Sequence, residues 1–66
     1  MSAYRCFVIG FDGHIRAADI VYCADDTAAA GEARQLLQRH PAAPQLEIWH
    51  LDRRVGVLTR QTLDAA

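Results

Sequence analysis

The chain has no lysine: all seven of its basic residues are arginine, and eight acidic residues leave a formal charge of −1. A protein whose main work is gripping phosphate backbones needs a basic stripe, so a general nucleic-acid scaffold is not expected. No apolar run approaches the 18 or so residues needed to cross a bilayer, so no membrane role is expected. The opening "MSAYRCFVIGF" lacks the long apolar core and small-residue cleavage site of a secretory leader. With two cysteines, this points to a cytoplasmic protein with free thiols. Histidine is scarce too, and His14, His40 and His50 have no Cys or His partner at ligand spacing. Neither a metal nor any other cofactor is expected. "GFDG" at 10–13 is no phosphate loop, since it lacks the glycine-rich spacing, the lysine and a following helix.

Apolar residues make up 52% of the chain, which excludes disorder. Sixty-six residues have room for one core, so residues 1–66 read as one domain, with 60–66 as a frayed tail. Area scaling for 7.3 kDa gives roughly 10,600 Å² exposed in the unfolded chain and about 4,200 Å² when folded. That fraction is near the lower limit for independent folding, and a partner copy would help.

The pattern is α+β in the order ββαββ. "AYRCFVIG" and "HIRAADIVYC" are rich in aromatic and β-branched residues, and "FDG" separates them. Gly10-Phe11-Asp12-Gly13 suits a type I turn closed by a left-handed glycine. This predicts Ile9 opposite Ile15, Phe7 opposite Ala17 and Arg5 opposite Asp19. The alternative is a two-residue turn at Asp12-Gly13. A helix is predicted from about 26 to 39, with Ala29, Ala33, Leu36, Leu37 and His40 on one stripe and Ala30 at its edge. Pro41 ends it, and "PAAP" is a stiff connector. A second hairpin, "QLEIWHL" and "RVGVLT", is expected to turn at Asp52-Arg53, setting Trp49 across from Gly56.

One helix covers only one face of a four-stranded mainly antiparallel sheet. The most apolar strand, the first, belongs inside the sheet and the second on an edge. The uncovered face is then expected to carry Tyr4, Cys6, Val8, Ala18, Ile20 and Tyr22, with either Trp49 or Ile48. Such a patch marks an interface, and a sheet-to-sheet homodimer is its simplest cover. An unknown protein partner, or extension of the sheet at a strand edge, is a second route.

Other candidates are weighed against plainer roles. Asp25 and Asp26 look catalytic as a pair, yet neighbours at a helix start diverge by about 100°, whereas catalytic carboxylates converge. They read as a helix cap and a first-turn acid. Cys6 and Cys23 read as small buried hydrophobes. In the alternative register they share a face but sit roughly 13 Å apart along the strands, beyond the span of about 7 Å that a disulfide bridges. Cys23 precedes a helix N-terminus, so a reactive thiol is the alternative. His40 is expected at the helix C-terminal carbonyls. Trp49 with Arg53 and Arg54 is the best set for single-stranded nucleic acid, because sheet aromatics stack bases. No catalytic residues are assigned, and an enzyme is not expected.

The strings "GHI", "CADD", "A-x-x-LL", "E-x-W" and "R-x-V" resemble those of short uncharacterised ββαββ proteins from alphaproteobacterial, rhizobial-type genomes. The resemblance spans about residues 4–57 and implies a bacterial cytoplasmic origin and no catalytic set. In that pattern the second turn would carry glycine where this chain has Leu51-Asp52. "DDTAAAGEA" is also similar to the helix start of HicB-type antitoxins, but it lacks their glutamate at the third helical position, and no DNA-binding segment follows. These likenesses leave three expectations: an interaction module, a nucleic-acid binder, and an antitoxin-like or thiol-based regulator.

Overall fold

A computed structural model describes residues 1–60. The expected frayed tail lies outside those residues except for Arg60. The elements are β1 (Ser2–Ile9), β2 (Ile15–Cys23), α1 (Asp26–Gln38), β3 (Gln45–His50) and β4 (Arg53–Thr59). They form one antiparallel sheet in the order β2-β1-β3-β4, with α1 on one face. The ββαββ reading therefore holds, with β1 inside and β2 on an edge.

The helix follows local rules. Asp25 stands extended before it and accepts a hydrogen bond from the Ala28 N–H at 2.8 Å. Ala29, Ala33, Leu36 and Leu37 are its buried stripe, Ala30 lies at the margin and Gly31 faces solvent. Its C-terminus is stabilised from far along the chain. The Arg60 guanidinium donates through Nη2 to the carbonyls of Leu37 (2.9 Å), His40 (2.6 Å) and Ala43 (3.1 Å). The side-chain role expected of His40 thus belongs to Arg60, because α1 has no basic residue in its last turn.

The first loop forms as predicted. The Gly13 N–H donates to the Gly10 carbonyl at 3.0 Å, and Gly13 has φ 82°, open to a residue without Cβ. Ile9 pairs with Ile15, but Val8 then pairs with Ala17, leaving Arg16 as an extra residue in a β-bulge. Beyond it Phe7 faces Ala18 and Arg5 faces Ile20, so the expected Phe7–Ala17 and Arg5–Asp19 pairs are corrected by one position. Asp12 holds Arg16 at 2.7 Å, and the side chain lies so close to Gly10 that a Cβ there would meet Nε at 2.7 Å. A bare Gly10 thus lets the bulged arginine fold back over the loop.

One residue of slip turns a strand over relative to its neighbour. The faces of β2 are as expected, and those of β1 are reversed. Tyr4, Cys6 and Val8 lie under the helix with Leu46 and Ile48, buried in the core cluster. They are no part of an open interface. The second hairpin also differs: it turns at Leu51-Asp52, pairing His50 with Arg53 and Trp49 with Arg54. A register shift then sets Ile48, not Trp49, opposite Gly56. Leu51 carries the turn at φ 58°, where hairpins of two loop residues favour glycine.

Candidate interface on the open face of the sheet

The face that α1 leaves uncovered is built from alternate residues of all four strands. β1 contributes Arg5 and Phe7, and β2 contributes Ala18, Ile20 and Tyr22 as their neighbours. Trp49 pairs with Arg5, and Glu47 with Phe7, on β3. β4 adds Arg54 beside Trp49 and Val57 beside Glu47. Ile20 is 54% exposed, Tyr22 67% and Val57 40%, while Phe7 and Trp49 are partly buried among their neighbours. Of the expected interface residues, Ile20, Tyr22 and Trp49 stand on this face together.

Its polar groups are tied to one another. The Trp49 indole N–H donates to Glu47 Oε1 at 3.0 Å, and Arg54 approaches Glu47 Oε2 at 3.9 Å. Arg5 donates to the Leu51 carbonyl at 2.6 Å and lies 5.9 Å from the centre of the Phe7 ring, within cation–π range. A shallow groove of about 410 Å³ runs between Arg5, Phe7, Ala18, Asp19 and Ile20. Phe7, Arg5, Glu47 and Val57 were missed as interface residues. One legible signal pointed to the β1 face: Arg5 alternates with Tyr4 and Cys6, and a guanidinium belongs on the wet side of a strand.

The nucleic-acid set is divided between faces. Trp49 and Arg54 are on the open face, but Arg53 turns to the helix side and reaches Asp26 Oδ2 at 3.4 Å. There it joins a second cluster. The Tyr4 hydroxyl donates to Asp26 Oδ1 at 2.8 Å, and the Tyr4 ring stacks on His50 with centroids 4.8 Å apart. The hydrogen bond from Tyr4, with Arg53 and His50 nearby, holds the Asp26 carboxyl below its ordinary range despite some burial. The same bond, with burial, raises the Tyr4 hydroxyl above its own range. Asp26 is thus more than a first-turn acid, because it latches the helix start to β1 and β4. Asp25 and Asp26 part company as expected, one capping the helix and one pointing to the sheet.

Both cysteines are free and buried. Cys6 pairs with Asp19 and Cys23 with Ser2, four positions apart on the helix side, as in the alternative register. Burial pushes the Cys6 thiol up to about 11, with smaller contributions from Asp19 and Cys23. Cys23 is also raised, first by burial and then by Glu32 and Asp25. The alternative of a thiol lowered by the helix end gains no support, because Cys23 is enclosed and its nearby charges are acidic. Among the described residues no three potential ligands converge on a metal position, and no helix is long and apolar enough to cross a membrane. A scan against models of protein families, a search of curated proteins and a search of solved structures each found no match to this chain. The likenesses drawn from sequence strings therefore bring no residue role to either cluster.

Proposed function

We propose that this chain is a small interaction module that self-associates by packing its open sheet face on a second copy. The observation that carries this reading is the gathering of Phe7, Ile20, Tyr22, Trp49 and Val57 on a face that no element of the described chain covers. A contiguous exposed apolar patch rimmed by polar residues is characteristic of association sites. The charges favour a second copy over a polyanion. Arg5 and Arg54 share the face with Glu47, and Asp19 lies at its rim in the groove beside Arg5. A surface carrying both signs can complement itself across a two-fold axis. A nucleic-acid platform would instead leave its arginines free for phosphate, whereas Arg54 lies near Glu47 and Arg5 holds a carbonyl.

Light scattering on a sizing column tests the reading. The expected mass is twice the 7.3 kDa of one chain at micromolar concentration. Tyr22→Glu should return the mass to one chain while leaving the circular dichroism unchanged, since Tyr22 lies outside the core. A wild-type monomer at high micromolar concentration overturns the reading. If that monomer binds single-stranded RNA with a steep salt dependence, the aromatic face is a base-stacking platform instead.

A further inference from the structure

At the end of the molecule away from the Tyr4–Asp26 latch, on the helix side, a cleft of about 620 Å³ separates the first loop from the connector after α1. Its volume is within the range of small-molecule sites. Val8, Pro41, Ala42 and Ala43 make an apolar lining, and Phe11, 85% exposed at the loop tip, stands at the opening. Two guanidinium groups line the same space against one carboxylate. Arg16 is held by Asp12 at 2.7 Å and lies over the bare backbone of Gly10, so its position is already ordered. Arg39, across the cleft, has no side-chain hydrogen bond or ion pair among the described residues.

A helix C-terminus normally repels anions, because its last carbonyls carry partial negative charge. Here Arg60 occupies the carbonyls of Leu37, His40 and Ala43, so that repulsion is offset from the far side. What remains is an apolar pocket with a surplus cation and an aromatic ring at its rim. We infer that this cleft binds a small oxyanion with an apolar, ring-sized body. The body would pack between Phe11 and the Val8–Ala43 floor, and the carboxylate or phosphate would take the free Arg39 with Arg16 beside it. A guanidinium fork matches either headgroup. The site is independent of self-association, since it uses none of the residues of the open face.

Amide chemical shifts of the full ¹⁵N-labelled chain, titrated with benzoate, phenyl phosphate and benzyl alcohol, provide the test. One or both anions should saturably shift the amides of residues 10–16 and 39–43, while the alcohol binds about tenfold more weakly for want of a charge-assisted hydrogen bond. Comparing the two anions identifies the headgroup. Arg39→Gln should weaken anion binding about tenfold, and Phe11→Ala should weaken all three probes. Arg34→Gln, on the exposed side of α1, should change nothing. The inference fails if no probe shifts these segments, if the alcohol binds as well as the anions, or if Arg39→Gln binds like wild type while its spectrum shows an intact fold.

Discussion

Leu51 is the residue most at odds with its place. It holds φ 58° at an exposed turn position, a conformation that costs a branched L-residue about 1–2 kcal/mol. Leu51→Gly should therefore raise stability by about 1 kcal/mol, after allowing for the greater freedom of glycine in the unfolded chain. The Arg5 bond to this turn uses the backbone carbonyl and survives the substitution. A lower urea midpoint for the variant would contradict the argument. Tyr4 and Asp26 predict a pH profile with two shoulders. Asp26 is depressed, so its stabilisation is present above the ordinary carboxylate range and is lost as pH falls through its lower folded value. Tyr4 is raised, so its stabilisation is complete below the ordinary tyrosine range and is lost as pH rises through its higher folded value. In Tyr4→Phe the alkaline shoulder should shrink to the part that the raised Cys6 and Cys23 thiols contribute, and the acid one should shrink too, as read from thermal midpoints across pH. Asp25 as the cap could be read from the sequence, because capping is a relation between neighbours. The Tyr4–Asp26 bond spans 22 positions, and no local rule reports it.

Among the elements, α1 is the most predictable and has the clearest room for improvement. Gly31 lies on its exposed side, and a Cβ there would meet nothing within 4 Å. Gly31→Ala should stabilise the chain by about 1 kcal/mol, the difference in helix propensity. Denaturant titration would show an unchanged midpoint if that position carried an unseen constraint. At the other end of the helix, Arg60→Ala should cost about 2–3 kcal/mol, because it removes a cation that serves three partly buried carbonyls. Faster hydrogen exchange at the end of α1 should accompany the loss. In β2 the bulge at Arg16 is the decisive irregularity. The loop type was legible from Gly10-Phe11-Asp12-Gly13, and Ile9–Ile15 is the pair that loop implies. The rest of the hairpin follows the register of the two-residue alternative. Both readings of the sequence were locally sound, and one extra residue joins them.

For the whole molecule, that bulge decides what is inside. β1 alternates Tyr4, Cys6 and Val8 with Arg5 and Phe7; both sets include a large apolar side chain, and Arg5 is the one local sign of which set stays wet. The existence of an uncovered apolar face was legible from the count of elements: four strands have two faces and one helix covers one. Of the residues expected on it, Ala18, Ile20, Tyr22 and Trp49 stand there, and Tyr4, Cys6 and Val8 do not. If the face closes on a second copy, Trp49 should become more enclosed on association. Its fluorescence maximum should then shift to longer wavelength on dilution, and it should stay constant in Tyr22→Glu.

By itself the sequence determines the order of elements, the helix with its cap and buried stripe, and the glycine-closed first loop. Each depends on residues within one or two turns of chain, where periodicity and backbone sterics leave little choice. Only the tertiary structure decides which face of β1 the helix covers, where the second hairpin turns, and that Arg60 completes the helix end. Those outcomes rest on pairings between distant segments, and in a strand a shift of one residue exchanges inside for outside.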